Sequence, residues 1–217
     1  AEDKARFGGT LLTSEVNIGN QSGKKWADGI IAELKEMPNV VVKNRSQVFG
    51  YYDHNLLLGL EKCNDHLPIE QRKGCGQRLW QIRAKQVIIA TGTHERSLVF
   101  ANNDRPGIMT ASALRTYINR YAVSPGRSVV IFANNNGAVQ TAKDIQAAGV
   151  QIAAYVDTRA DAGISGDFPI YCGAQVCDTF GRLGLEEVTV RHAGEEIKIA
   201  ADCLAVSGGW NPTVHLS

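Results

Sequence analysis

The residues most suited to bind a ligand stand at the beginning of the chain. Glu2, Asp3 and Lys4 form a short charged run, and the pair Gly8-Gly9 follows shortly afterwards. After the second strand of a dinucleotide-binding unit, an acidic side chain accepts hydrogen bonds from the ribose hydroxyls, and glycine lets the backbone pass close to the ligand. We therefore predict that Glu2 binds a ribose, with Asp3 and Lys4 beside the ribose or the adenine. The alternative is a solvated, charged segment that precedes a glycine turn.

A second candidate contact lies in the segment Lys85–Arg96, KQVIIATGTHER. Val87–Ala90 is an unbroken apolar run, which is typical of a strand buried on both faces of a parallel sheet. The run ends at Thr91 and Gly92, and ligands of open α/β sheets bind in the crevice at the carboxyl ends of the strands. A hydrophobic strand followed by Ala-Thr-Gly resembles the exit from the first nucleotide domain of two-dinucleotide-binding-domain flavoproteins, the glutathione-reductase-like fold. A core strand followed by an ordinary turn is the alternative interpretation.

The stretch from Ser128 to Asp157 has the pattern of a further dinucleotide-binding half-unit. It predicts a strand, a tight turn, a helix over 138–148 and a strand over 152–156. The dinucleotide fingerprint needs glycine or another small residue at three places of the turn, and these places are occupied by Ala133, Asn135 and Ala138. Because the Asn135 side chain would extend into the space of a pyrophosphate, we predict a domain that keeps the fold and has lost its nicotinamide site. The alternative is that the asparagines form an adapted polar site.

The reactive side chains lack the spacing of a catalytic or metal site. Cys172 and Cys177 have a C-x4-C spacing, but the redox pair of disulfide reductases follows the glycine pair of the first domain, where Leu11 and Val16 stand in this chain. We therefore interpret the two cysteines as ordinary small buried residues. The remaining candidates have neither the ligand pattern of a metal site nor the partner of a catalytic base: Cys63, His66, Cys75, His94 and His215.

The remaining pattern predicts the elements that position these residues. Apolar residues at helical spacing predict a helix over 24–37, and three consecutive valines, 40–42, predict a strand. The extended segment that begins at Gln47 would pass the adenine, so we predict that Val48 bonds the adenine edge through its backbone. The apolar run within 202–209 is predicted to be a strand that returns the chain to the first domain. Further predicted elements are a meander over 51–52, 56–60 and 78–84, a helix over 111–121 and a hairpin over Gly194.

Composition and charge argue against several classes of protein. The 217 residues have a hydrophobic fraction of 44%, a charged fraction of 21% and a formal net charge of +1, so no basic excess is available to neutralise nucleic-acid phosphates. No apolar run reaches the roughly 18 residues of a membrane span, and no signal peptide is visible. Five cysteines with irregular spacing fit reduced thiols better than a disulfide framework, which predicts a cytoplasmic location.

Three motifs together resemble the alpha subunit of heterotetrameric sarcosine oxidase, and the related alpha subunits of amine, opine and proline oxidases or dehydrogenases. They read ATGTHERSLVFANNDRPGIM, PGRSVVIFANNNGA and SGGWNPTVHL. The resemblance implies an α/β, doubly wound, FAD/NAD(P)-binding fold in an internal fragment of a longer subunit. It implies a first dinucleotide-binding domain over 1–113 and 202–217, without its N-terminal phosphate loop, and an inserted second Rossmann-like domain over 114–201.

The resemblance also implies which residues contact a cofactor. This region would hold NAD without using it in turnover, and it would supply no catalytic side chain. The implied NAD contacts are Glu2, Asp3 and Lys4 at the ribose, Gly9 and Thr10 in the following loop, Val48 at the adenine edge, and Thr91 and Gly92 near the pyrophosphate.

The complex implied by the resemblance oxidises sarcosine to glycine, with hydrogen peroxide and formaldehyde or methylene-tetrahydrofolate as products. Its beta subunit carries FAD, FMN lies between alpha and beta, the C-terminal half of alpha binds tetrahydrofolate, and gamma and delta subunits complete it. Two other functions stay open. An NAD(P)H-dependent flavoprotein reductase would need glycines at 133 and 135 or a reactive dithiol, and an interaction scaffold would bind no dinucleotide.

Overall fold

The computed structural model describes residues 1–216, and these form two compact units. Unit 1 contains residues 1–12, 16–92 and those from Pro212 onwards, and unit 2 contains residues 13–15 and 93–211. Unit 2 has a five-stranded sheet whose strand pairs are all parallel, and helices accompany it. The predicted α/β fold class is therefore confirmed. None of the helices in residues 1–216 combines the length and the apolar character that crossing a bilayer requires.

Unit 1 contains one α-helix, a three-stranded antiparallel sheet and a short two-stranded sheet. Helix α1, Gly23–Glu36, begins where the Ser22 hydroxyl accepts a hydrogen bond from the Lys25 amide at 3.3 Å, and it ends before Pro38, as predicted. The strands of unit 1 are β1 (Asn17–Ile18), β2 (Gln21–Ser22), β3 (Ser46–Tyr52), β4 (Leu56–Lys62) and β5 (Gln77–Arg83). The sheet has the order β3-β4-β5, which confirms the predicted meander.

Two predicted strands of unit 1 are not strands. The valines at 40–42 and the run Val87–Ala90 adopt no regular structure, and Val41 and Ile88 are 79% and 92% exposed. The prediction of a strand buried on both faces is therefore wrong for the described residues. The physical reason is that a strand needs a neighbour to accept its hydrogen bonds and an apolar layer to cover it, and neither run lies in any sheet of residues 1–216.

Unit 2 contains the remaining helices and strands. Helix α2 covers Ala111–Arg115 and continues as a π-helical turn over Thr116–Arg120, and helix α3 covers Gly137–Ala147. The strands are β6 (Thr93–Glu95), β7 (Ile108–Thr110), β8 (Ser128–Ala133), β9 (Gln151–Asp157), β10 (Ile170–Cys172), β11 (Gln175–Phe180), β12 (Glu187–His192), β13 (Glu195–Ala200), β14 (Cys203–Ser207) and β15 (Trp210–Pro212). The predicted succession of β8, α3 and β9 is confirmed.

The parallel sheet, in the order β10-β9-β8-β14-β7, is buried on both faces. Such burial explains the continuous apolar runs of β8 and β14. One cluster joins alternate residues of these strands to an antiparallel meander, β11-β12-β13: Val130, Phe132, Leu204, Val206, Val176, Val188 and Val190. The other joins the intervening residues to α2 and α3: Val129, Ile131, Cys203, Ala205, Leu114, Ala138 and Ile145.

The division of the chain differs from the predicted one. Strand β14 lies between β8 and β7 in the sheet of unit 2, with Leu204 opposite both Val130 and Ile108, although we predicted it in the first domain. Unit 2 accordingly extends from residue 93 to residue 211, beyond the predicted 114–201. The reason is that an apolar run followed by glycine predicts a strand without indicating which sheet supplies its partners.

Two sequence signals have clear structural counterparts in unit 2. The predicted hairpin over Gly194 joins β12 to β13, and Ala193 and Gly194 both have positive φ, 52° and 87°, as a type I′ two-residue hairpin turn requires. The motif NNDRPG also makes specific contacts. The side-chain nitrogen of Asn102, Nδ2, donates to Asp178 Oδ1 at 2.7 Å. The Arg105 guanidinium donates to the carbonyl oxygens of Thr179 in β11 and of Gly181 in the following turn. These motif residues therefore fasten a loop onto the meander.

Candidate dinucleotide site

The acidic beginning of the chain lies alongside the segment that leads into β3. The Glu2 amide donates to the Lys43 carbonyl at 2.9 Å, the Ser46 amide donates to the Glu2 carbonyl at 2.8 Å, and the Arg45 amide donates to the Lys4 carbonyl at 2.9 Å. Because these bonds run in both directions, the main chain of residues 2–4 is fixed within unit 1. Glu2, the residue predicted to bind the ribose, therefore lies on a main chain that hydrogen bonds hold in place.

The side chains of Glu2 and Asp3 interact, and each affects the pKa of the other. The Glu2 carboxylate accepts a hydrogen bond from the Lys4 amide at 3.0 Å, and the Lys4 ammonium donates to Asp3 at 3.0 Å. Partial burial raises the pKa of Glu2, and the neighbouring Asp3 adds to the rise. Burial also opposes ionisation of Asp3, but hydrogen bonds with Glu2 and Lys4 outweigh it and lower the pKa of Asp3.

Val48, the predicted adenine contact, lies on β3 two residues after Ser46, the residue that bonds Glu2. It is half-buried and lies opposite Gly59 of β4. The register of the β3–β4 ladder shifts between Val48 and Gly50. Because such a bulge leaves a residue outside the ladder, it leaves backbone groups beside Val48 for another partner. The structure thus brings residues 2–4 and Val48 to the same end of one strand.

Gly9 and Thr10 lie in a short 3-10 helix, Gly9–Leu12, and both are exposed. Gly8 has a φ of 126°, which a residue with a Cβ atom adopts only with strain, and Gly9 has a φ of 51°, in the left-handed region that favours glycine. A Cβ atom on Gly9 would meet no atom within 4 Å. The left-handed backbone at Gly9 favours glycine, and the space in front of it is open.

Thr91 and Gly92 form an exposed turn whose partners lie near the end of the chain. The Thr91 hydroxyl donates to the Thr213 carbonyl at 2.6 Å, and the Thr213 amide donates to the Gly92 carbonyl at 3.0 Å. Gly92 has φ 71°, and a Cβ atom there would also meet no atom within 4 Å. These hydrogen bonds lead to Thr213 rather than to residues 2–4 or Val48, so the proximity of the turn to those residues stays a prediction.

One feature of unit 1 was missed by the sequence analysis. A cleft of about 360 Å³ lies beside the charged N-terminal run, and Arg6 and Asp28 of its wall form an ion pair at 2.8 Å. The remaining wall is mainly apolar, with Phe7 and Ile31 among its residues. The available signal was a basic residue, Arg6, shortly after the charged run, but nothing local pairs it with a helix residue so far along the sequence.

The cysteines occupy separate elements. Cys172 lies on β10 of the parallel sheet and Cys177 on β11 of the meander. Both are half-buried and both carry free thiols, and the Cys177 thiol donates to the Thr189 carbonyl at 3.4 Å. Within residues 1–216, no group of three or more His, Cys, Asp or Glu side chains is arranged to hold a metal ion.

Comparison with known proteins identifies related sequences. No protein-family model matches the chain. It is 40% identical over 219 aligned residues to sarcosine oxidase subunit alpha of Rhizobium meliloti (strain 1021), an alignment that covers 97% of this chain. It is 36% identical over 231 aligned residues to sarcosine oxidase subunit alpha of Corynebacterium sp. (strain P-1), covering 99% of this chain. The chain spans only 22% and 24% of the lengths of these relatives.

Solved structures share the fold. L-proline dehydrogenase from P. horikoshii matches with a TM-score of 0.71 at 19% identity, over 98% of this chain and 37% of that chain. The bacillithiol disulfide reductase of Bacillus cereus matches with a TM-score of 0.67 at 12% identity, over 100% of this chain and 72% of that chain. These matches confirm the predicted FAD/NAD(P)-binding fold, and at such identities they concern the fold alone.

Proposed function

We propose that this chain, which is homologous along nearly its whole length to a segment of sarcosine oxidase alpha subunits, is a dinucleotide-holding region of such a subunit. The observation that carries the proposal is the identity of 36–40% over 97–99% of the chain. The region binds NAD through unit 1 and contributes no catalytic side chain. When bound, NAD supplies a nicotinamide ring capable of hydride chemistry, which this region holds without using.

The residues of unit 1 fit the adenosine half of NAD. The fixed backbone of residues 2–4 presents Glu2, whose carboxylate accepts hydrogen bonds from ribose hydroxyls, and Asp3 and Lys4 flank it. The bulge beside Val48 offers backbone groups to the adenine edge. Open space in front of Gly9 and Gly92 lets the phosphates approach these backbone positions without meeting a side chain, with Thr10 and Thr91 next to them.

The complete protein belongs, in this proposal, to an oxidoreductase that demethylates sarcosine to glycine. Its further cofactors are FAD, FMN and tetrahydrofolate, held outside the described residues, and its partners are beta, gamma and delta subunits. Hydrogen peroxide and formaldehyde or methylene-tetrahydrofolate are the products. The five free thiols support a reducing, cytoplasmic compartment.

Titration of NAD into the full-length subunit, followed by calorimetry, tests the proposal. We expect binding, and we expect that NADH added to the assembled complex, which carries the flavins, reduces no flavin. Glu2→Ala removes charge-assisted hydrogen bonds to the ribose. The loss should weaken the binding free energy by ~1.5–3 kcal/mol, which raises Kd about 10- to 150-fold. The matched control is Glu33→Ala, an exposed glutamate on α1, which should leave Kd unchanged.

Three results would contradict the proposal in different ways. Flavin reduction by NADH would indicate the reductase class. Absence of binding in the full-length subunit would indicate a scaffold without ligand. An unchanged Kd for Glu2→Ala, with NAD still bound, would remove Glu2 from the site and leave the dinucleotide-holding role to other residues.

A further inference from the structure

Unit 2 contains a complete half-unit of the dinucleotide-binding type, formed by β8, α3 and β9. In such a half-unit, the diphosphate rests on the helix N-terminus and the ribose hydroxyls donate to an acidic residue at the end of the second strand. These two places are the beginning of α3 at Gly137 and the carboxylate of Asp157 at the end of β9. Side chains of unit 2 itself occupy both places.

The N-terminus of α3 is covered by the Asn135 carboxamide. The Gly137 amide donates to Asn135 Oδ1 at 2.9 Å, which is the bond a phosphate oxygen would accept. Asn135 Nδ2 donates to the Ser207 carbonyl at 3.0 Å and to the Ser207 hydroxyl at 3.2 Å. A Cβ atom on Gly137 would lie 2.9 Å from Asn135 Oδ1 and 3.7 Å from Trp210 Nε1. The Asn135 carboxamide therefore stands where a phosphate oxygen would accept the Gly137 amide.

The partners of the Asn135 carboxamide are themselves held by hydrogen bonds. The Ser207 hydroxyl, at the end of β14, donates to Glu95 Oε1 at 2.8 Å, and the other oxygen of Glu95 accepts the Ser112 amide at 2.6 Å. Asn135 thus belongs to a network that ties β8, β14 and α2 together. A ligand that displaced it would leave the hydroxyl and carbonyl of the buried Ser207 without this partner, which is costly away from water.

At the end of β9, Arg159 occupies the position in which a ribose would bond Asp157. Asp157 is fully buried. Its Oδ1 accepts the backbone amide and Nε of Arg159, both at 2.9 Å, and its Oδ2 accepts an Arg159 terminal nitrogen at 2.9 Å. The other terminal nitrogen of Arg159 donates to Asn136 Oδ1 at 2.8 Å. A ribose would have to replace a bidentate, charge-assisted pair with two neutral hydroxyl bonds.

We infer that Asn135 and Arg159 are specificity-determining residues that keep unit 2 closed to dinucleotides, since each makes the hydrogen bonds that the ligand would otherwise make. Dinucleotide binding by the subunit then does not use the half-unit formed by β8, α3 and β9. The inference concerns unit 2 alone, so it holds whether or not unit 1 binds NAD.

Photoaffinity labelling of the full-length subunit tests the inference. The probe is an azidoadenine analogue of NAD, and mass spectrometry measures its attachment to peptides from residues 128–160, which contain the half-unit of unit 2. The wild-type subunit should carry no label there that unlabelled NAD competes away. The variant Asn135→Gly/Arg159→Ala should gain competable label by about tenfold or more. The matched control, Asn103→Gly/Arg191→Ala, changes the same residue types at exposed positions outside the half-unit and should gain none.

A second measurement covers the case in which the double variant is unstable. Asn135→Gly alone keeps the Arg159–Asp157 pair and opens only the helix N-terminus. Inorganic diphosphate should then slow hydrogen exchange in the peptide that begins at Gly137 in this variant and leave the wild-type peptide unchanged. Competable label on residues 128–160 of the wild type would overturn the inference. It would also be overturned if a folded Asn135→Gly variant showed no diphosphate protection.

Discussion

Asp144 of α3 offers a sharp test of how unit 2 is held together. It is 4% exposed, and it accepts hydrogen bonds from Arg115 Nε at 2.6 Å, Asn119 Nδ2 at 2.7 Å and Gln140 Nε2 at 2.8 Å. Asp144→Ala leaves three donors without this acceptor, one of them charged. Removing one partner of a buried ion pair costs roughly 3–5 kcal/mol. Because the Arg115 side chain keeps 19% exposure, we expect the lower end, about 3 kcal/mol.

Hydrogen exchange of the α3 amides, read by mass spectrometry, measures the free energy of opening in unit 2. The exposed Asp161→Ala is the matched control and should change it by less than about 0.5 kcal/mol. The double variant Asp144→Leu/Arg115→Met removes both charges and should be less destabilised than Asp144→Leu alone. A cost below about 1 kcal/mol for Asp144→Ala, or simple additivity in the double variant, would refute this reasoning.

Three further predictions concern ionisation and backbone geometry. If Glu2 binds the ribose as a carboxylate, NAD affinity should fall as the pH is lowered through the pKa of Glu2. Because that pKa is raised, the fall should begin at a higher pH than for an ordinary glutamate. Measurement of Kd across pH checks this, and Glu2→Gln should remove the pH dependence. Burial raises the pKa of Cys203 to about 12, so iodoacetamide at about pH 8 should alkylate the exposed Cys75 and leave Cys203 unmodified until unfolding; early alkylation of Cys203 would show that β14 opens readily. At Gly181, φ is 151° and a Cβ atom would lie 1.9 Å from the Gly184 carbonyl oxygen, so Gly181→Ala should lower the Tm of unit 2 by several degrees; an unchanged Tm in a thermal melt would contradict that geometry.

The candidate site was predictable in part, for reasons specific to each segment. The charged run at residues 2–4 and the extended segment with Val48 are visible as local patterns, and the structure joins them by backbone hydrogen bonds. The partnership of Arg6 with Asp28 has no local signal, because the two residues meet only once α1 packs beside the N-terminal segment. Whether Thr91 and Gly92 complete the same site stays a prediction, since their hydrogen bonds lead to Thr213.

The sequence by itself determined the elements whose cause is local. The succession of β8, α3 and β9, the end of α1 before Pro38 and the turn at Ala193 and Gly194 all follow from hydrophobic period, proline or the freedom of glycine. The motifs likewise determined the relationship to sarcosine oxidase alpha subunits, because identity is carried by residues in order and not by contacts.

Only the tertiary structure decided features that depend on distant partners. Strand β14 joins unit 2 because β8 and β7 supply its hydrogen bonds, while Val87–Ala90, with an equally apolar pattern, stays exposed for want of a neighbour. In the same way, the fingerprint showed that Asn135 is too large for a diphosphate loop, but only the fold brings it onto Gly137 and Ser207. Hydrophobic period describes a segment's own preference, whereas hydrogen-bond partners and burial are properties of the assembled chain.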